Sequence, residues 1–166
     1  MNRSVKDVFC YSTLAGKLAI AALNGNITNV FFYNEAIAAT MHVKETAVIS
    51  EAARQLDEYF AGLRQTFELA LAPEGTAFQQ SVWAALRQIP YGKTCSYKDI
   101  AQKIGLPKAY RAVGMANNRN PIAIIIPCHR VIGADGKLVG YAGGLEIKSK
   151  LLALEAKQAK LNFFCL

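Results

Sequence analysis

Pro127-Cys128-His129-Arg130 puts a thiol, an imidazole and a guanidinium at consecutive positions. The thiolate is the nucleophilic form of cysteine, and making it requires a base or a positive field, so this combination suits transfer of a group onto sulfur. Adjacency in sequence does not by itself mean contact in space. Such a pair also needs a carboxylate to fix the imidazole tautomer, and acids are scarce here: after residue 100 only Asp135, Glu146 and Glu155 remain. Lys148-Ser149-Lys150-Leu151-Leu152-Ala153-Leu154-Glu155 reads as a helix. Glu155 falls one turn after Leu151 on its apolar side, where a buried acid would want a partner. An exposed glutamate on the helix surface is the plain alternative.

The remaining cysteines, Cys10, Cys95 and Cys165, are widely spaced and read as inert core positions. With no C-x-x-C pair and no spaced histidines, neither a zinc site nor a disulfide framework is expected, and a reducing, intracellular setting fits best. Nothing resembles a signal peptide, and no apolar run approaches the ~18 residues of a membrane span. No membrane association is expected.

Several elements must position these groups. Ile122-Ala123-Ile124-Ile125-Ile126 reads as a buried strand running into Pro127, after a break at Asn120-Pro121. Upstream, Ser96-Tyr97-Lys98-Asp99 is a Ser cap with an acid three residues on. It opens a short helix that ends near Gly105, and Pro107 leads into a second helix over residues 109–117. Two short helices separated by Gly-x-Pro form a helix-turn-helix pattern. Ala109, Ala112 and Ala116 give the second helix a face of small side chains beside Arg111, suited either to close approach to DNA or to packing on a neighbouring helix. Phe78, Val82, Trp83, Leu86 and Ile89 form an earlier helical stripe closed by Pro90-Tyr91-Gly92. Gly140-Tyr141-Ala142-Gly143-Gly144 is wrongly spaced for a phosphate loop, but could wall a pocket with free backbone N–H groups.

The first part of the chain carries no visible chemistry. Three strand-like runs around Gly16-Lys17 and Asn24-Gly25-Asn26 read as an antiparallel meander, and residues 44–63 show helical spacing. Dividing the chain after Gly75 gives net charges of −2 and +9, so the whole basic excess lies in the second part and suggests a polyanionic partner.

The second part closely resembles the O6-alkylguanine-DNA alkyltransferases. The resemblance rests on Gly75-Thr76-Ala77-Phe78-Gln79 with Val82-Trp83, Ile89-Pro90-Tyr91-Gly92, Ser96-Tyr97, Arg111-Ala112-Val113-Gly114, Asn120-Pro121, Pro127-Cys128-His129-Arg130-Val131 and Gly140-Tyr141 with Gly143-Gly144-Leu145. The first 75 residues share only length and layout. The resemblance implies an α/β N-terminal domain over residues 1–73, a small antiparallel sheet with a helix of ribonuclease-H-like type. It implies a mainly α domain over residues 74–166, with a winged-helix-like helix-turn-helix that binds DNA and carries the alkyl acceptor.

It further implies that double-stranded DNA is bound through the minor groove and that a damaged nucleotide is flipped into a pocket. Arg111 would fill the gap left behind, with Ala109, Ala112 and Ala116 against the DNA. Tyr97 would hydrogen-bond the guanine ring and donate a proton, and Arg130, Val131, Tyr141 and Ala142 would line the substrate site. Cys128 would accept the alkyl group, His129 would act as base through a water, Glu155 would set the tautomer, and Asn120 would hold the turn before the acceptor. At Ala142 many relatives carry Ser, so a hydroxyl contact is lost. A thioether is not hydrolysed under mild conditions, so the protein would act once, as a cytoplasmic monomer (nuclear in a eukaryotic source) with no cofactor and no metal. Two rival readings are a lesion-binding module without chemistry and a Cys-His-Glu hydrolase that turns over.

Overall fold

Asn24 and Gly25 both take positive φ, 51° and 76°, and so make the tight two-residue turn that suits a right-twisted hairpin. They join β2 (Gly16–Leu23) to β3 (Asn26–Phe32), and β2 also pairs antiparallel with β1 (Asp7–Thr13). The computed structural model describes residues 5–164. Cys165, read from sequence as a core position, lies outside them. A short helix, α1 (Glu35–Ala38), leads to β4 (His42–Val43), which adds to β1 in parallel. The sheet order is therefore β3-β2-β1-β4, mixed rather than wholly antiparallel. Neither α1 nor β4 was legible in the sequence, since four and two residues are too short to show a period. The longer helix, α2 (Ala47–Phe60), packs Ile49, Ala52, Leu56, Tyr59 and Phe60 inward and lies against β1, β2 and β3.

The chain divides into two compact units. The first comprises Met1–Glu74 together with Pro121–Ala123, and the second comprises Gly75–Asn120 and Ile124–Leu166. Within the first, the 121–123 segment is held by Val30, whose N–H donates to the Pro121 carbonyl at 2.9 Å and whose carbonyl accepts from Ala123 N–H at 2.9 Å.

In the second unit, α3 (Ala77–Leu86) starts at a capping box in which Thr76 and Gln79 satisfy each other's backbone N–H groups. Gly75 precedes it because a Cβ there would lie 2.4 Å from the Trp83 ring. Next come β5 (Cys95–Ser96), α4 (Tyr97–Lys103) and α5 (Tyr110–Asn118). The expected Ser96–Asp99 capping box opens α4. Gly105, at φ 76°, makes the turn between the two helices. Trp83 Nε1 donates to the Ala116 carbonyl at 2.9 Å, which ties α5 to α3. A single 3₁₀ turn, Cys128–Arg130, runs into β6 (Val131–Ile132), parallel to β5, and α6 (Leu145–Phe164) closes the described chain. No helix among the described residues is long and apolar enough to cross a membrane.

The segment 122–126 departs from the sequence reading. It is buried throughout, as an apolar run should be, but it is not a continuous strand: the chain turns at Ile124, which has φ 71°. A β-branched residue enters that region only where its surroundings hold it there. Here Asn120 supplies part of the restraint, donating from Nδ2 to the Ile126 carbonyl at 2.8 Å.

Candidate active site

Cys128 heads the 3₁₀ turn, with its N–H donated to the Ile126 carbonyl at 2.8 Å, and the turn closes through Arg130 N–H to Pro127 O at 3.0 Å. Cys128, His129 and Arg130 are all buried, and so is Glu155 on α6. His129 Nε2 lies 2.7 Å from Glu155 Oε1. A carboxylate can only accept, so Nε2 carries the ring proton and Nδ1 is left as the basic nitrogen. The contact joins His129 to Glu155 across 26 residues of sequence.

Glu155 is held from three further directions. Arg130 donates from Nε to Oε2 at 2.9 Å and from Nη2 to Oε1 at 3.0 Å, and Gly92 N–H donates to Oε2 at 3.1 Å. The Arg130 fork is completed by Nη1, which donates to the Ile89 carbonyl at 2.7 Å. The Ile89-Pro90-Tyr91-Gly92 turn, which in sequence looked only like a helix stop, is thus a cradle for the ion pair. Gly92 takes φ 73°, and a Cβ there would come 2.9 Å from that of Ala159.

The electrostatics follow from this enclosure. Burial pushes the Glu155 carboxyl up, but hydrogen bonds from His129 and Arg130 and the Arg130 charge outweigh it and hold the group at about 2. Burial depresses the His129 imidazole, and the Arg130 and Lys148 charges add to that, against the pull of Glu155; the ring rests neutral. Burial likewise raises the Cys128 thiol above the ordinary cysteine range, opposed by a hydrogen bond from the Asn120 side chain, the charge of Lys148 and the N–H groups of Cys128 and His129. Cys128 therefore rests as a thiol, and His129, next to it in the chain, as a neutral imidazole.

Several expected substrate contacts are placed differently. Arg130, expected to touch substrate or DNA, is 6% exposed, and its guanidinium is committed to Glu155 and Ile89 instead. Val131 is fully buried and its carbonyl accepts from Lys148, so its side chain belongs to the core. Ala116 is 3% exposed under Trp83, which makes it a packing residue; Ala112 is exposed and Ala109 half-buried, so the small-residue face divides between the two roles. Arg111 is exposed on the first turn of α5, its guanidinium 5.9 Å from the Tyr110 ring. Tyr97 donates to the Val139 carbonyl at 3.2 Å. Its phenol is pushed up first by burial and then by Cys128, so it remains a neutral donor near the thiol. The Tyr141 phenol is raised well above its usual value by the same two influences and by Glu155, which puts it in the same enclosure; Ala142 is exposed.

Two site residues were missed in the sequence. Lys148 is fully buried, and Asn117 donates from Nδ2 to the Cys128 carbonyl at 3.4 Å from the last turn of α5. Lys148 lies three residues before Leu151 on the buried side of α6, and that phase was its one available signal.

Taken together, fold and site define a helix-turn-helix protein with a buried acceptor thiol and a carboxylate-oriented imidazole. Residues 77–157 match the family model described as the 6-O-methylguanine DNA methyltransferase DNA binding domain, and residues 9–73 match that family's ribonuclease-like domain. A methylated-DNA–protein-cysteine methyltransferase of Bacillus subtilis, described as constitutive, is 51% identical over 151 residues, spanning 86% of this chain and 91% of that protein. One from Methanosarcina barkeri is 71% identical over 105 residues, 63% of this chain and 66% of that protein. The crystal structure of Mycobacterium tuberculosis OGT in complex with DNA superposes with a TM-score of 0.86 at 46% identity, covering 92% of this chain and 94% of that one. The chain belongs to the methylated-DNA–protein-cysteine methyltransferase family.

Proposed function

We propose that this protein repairs alkylated DNA by moving an alkyl group from the O6 atom of guanine to Cys128 Sγ, once per molecule. The observation that carries the reading is the 2.7 Å His129 Nε2 to Glu155 Oε1 contact in the buried turn that also holds Cys128. His129 Nδ1 takes the thiol proton through a water, and the thiolate attacks the alkyl carbon in line. The S–C bond forms as the C–O6 bond breaks, the electron pair passes into the guanine ring, and the Tyr97 hydroxyl supplies a proton, which it regains through water from the His129 imidazolium, so that guanine leaves neutral. The product thioether has no route back to a thiol, and the reaction needs neither cofactor nor metal.

The base must leave the stack to reach a buried sulfur. Arg111, exposed on α5, fills its place, while Ala112 and Ala109 let the helix approach the minor groove of double-stranded DNA. Asn120 holds the turn before Cys128. Tyr141 walls the alkyl pocket, and Ala142 offers its backbone N–H to O6 in place of a hydroxyl. In this reading residues 1–73 are a supporting domain and residues 74–166 bind DNA and accept the alkyl group. The protein works as a cytoplasmic monomer, without a membrane or an obligate protein partner. The DNA complex of the Mycobacterium tuberculosis relative and the +9 charge of residues 76–166 support the choice of partner.

The test is intact-mass spectrometry after incubation with an O6-methylguanine duplex, followed by peptide mapping. One added methyl group per chain, on Cys128 and absent from Cys128→Ser, is the expected result. Binding without modification would replace the proposal with a lesion-recognition module, and repeated product release would replace it with a hydrolase.

A further inference from the structure

Lys148 is fully buried on α6, and its ammonium donates to three backbone carbonyls: Val131 at 2.6 Å, Val139 at 2.8 Å and Gly140 at 3.4 Å. Burying an ammonium is costly unless its N–H groups are met, and here these carbonyls meet them. They lie on two segments that matter to the site. Val131 follows the turn that holds Cys128, and Val139 and Gly140 lead into the loop of Tyr141.

The Val139 oxygen has a second donor, the Tyr97 hydroxyl at 3.2 Å. A carbonyl oxygen offers two lone pairs, and both are engaged, but the two donors are unequal. The ammonium is charged, buried and at charge-assisted distance. The phenol is neutral, and 3.2 Å is long for an O–H···O bond. Tyr97 is therefore the donor that can leave at small cost, because Lys148 keeps the oxygen satisfied when it does.

Resting on the alkyl-transfer reading above, we propose that Lys148 is a positioning residue that releases Tyr97: it holds the Val139 carbonyl so that the Tyr97 hydroxyl can turn from that oxygen to the guanine ring. In a chain without the ammonium, Tyr97 would be the donor left to Val139. Engaging the substrate would then cost the Val139 oxygen its remaining protein donor, and the hydroxyl would stay where it is. The contribution of Tyr97 to transfer should accordingly depend on what stands at position 148.

A double-mutant cycle on single-turnover transfer from an O6-methylguanine duplex tests this. Tyr97→Phe should slow the transfer step roughly tenfold when Lys148 is present, the worth of one hydrogen bond to a developing charge, and about twofold or less in Lys148→Met. Lys148→Arg, which keeps a charged donor, should restore most of the Tyr97 effect. Equal losses from Tyr97→Phe in both backgrounds would overturn the inference. The same question can be put to a protein whose core is intact, in case Lys148→Met does not fold. In Cys128→Ser, the Val139 carbonyl resonance, correlated through the Gly140 amide, should shift when the methylated duplex binds, and Tyr97→Phe should already show that shift without DNA. A Val139 resonance unmoved by binding would also overturn it. If the unaltered protein takes up no methyl group, the underlying reading fails; if it does and the cycle is additive, only the role of Lys148 fails.

Discussion

Arg130 and Glu155 meet as a fork on a carboxylate, Nε to Oε2 at 2.9 Å and Nη2 to Oε1 at 3.0 Å, with both side chains buried. The residue that follows His129 in sequence thus braces the carboxylate that His129 contacts. Arg130 is committed to Glu155 and Ile89, where the sequence suggested a field for the thiol or a hand on the DNA.

Breaking this pair should cost more than catalysis. Glu155→Gln leaves the Arg130 charge uncompensated in the interior, so unfolding stability should fall by about 3–5 kcal/mol, read as a lower urea midpoint. His129→Gln leaves the fork in place. It should slow transfer by about 10²- to 10⁴-fold with a much smaller loss of stability. Equal destabilisation by the two variants would contradict the bracing role.

Acid should unfold the protein in two stages. The His129 imidazole is held below its free value of 6.5, so stability is fully present above that pH and declines as pH falls beneath it. The Glu155 carboxyl, at about 2 against a free value of 4.5, contributes above pH 4.5 and is lost between there and about 2. Urea midpoints from pH 8 to pH 3 should therefore drop first below 6.5 and again below 4.5. A flat profile over that range would refute the assignment.

Cys128 should be a sluggish thiol towards simple reagents. Burial raises it above the usual cysteine value, so carbamidomethylation by iodoacetamide at pH 7 should proceed at less than about a tenth of the rate of a free thiol and rise with pH. Peptide mapping would identify the labelled cysteine. Rapid labelling of Cys128 at pH 7 would mean that a thiolate is already present and that no base is needed.

Arg111 is exposed on α5. Arg111→Ala should weaken repair of duplex DNA by about tenfold or more while sparing reaction with free O6-benzylguanine, which needs no flipping. Equal loss on the two substrates would remove the gap-filling role.

Much of this was legible because the signals were local. The Asn24-Gly25 turn, the Ser96–Asp99 cap and the apolar phase of Leu151 and Glu155 each lie within a few residues of what they determine. What stayed hidden depends on distant partners. The Ile89–Gly92 turn cradles an ion pair whose carboxylate lies 63 residues beyond Gly92. A buried Lys148 looks like any other lysine until the three carbonyls around its ammonium are known. The apolar run 122–126 predicted burial correctly but not conformation, because a turn fixed by Asn120 cannot be read from hydrophobicity.

The brief excursion of residues 121–123 into the first unit bears on how this architecture can be recombined. The Asn120 to Ile126 hydrogen bond pinches its neck, and Val30 receives its backbone. A gene spliced at the 74/75 junction would hand the acceptor-bearing half over with three residues that belong to the other half, and would leave both Val30 backbone groups without their partners. The two units are consequently not interchangeable cassettes. A chimera built from two such proteins should fold best when the 121–123 segment comes from the same parent as β3, so the inheritable module has a discontinuous border.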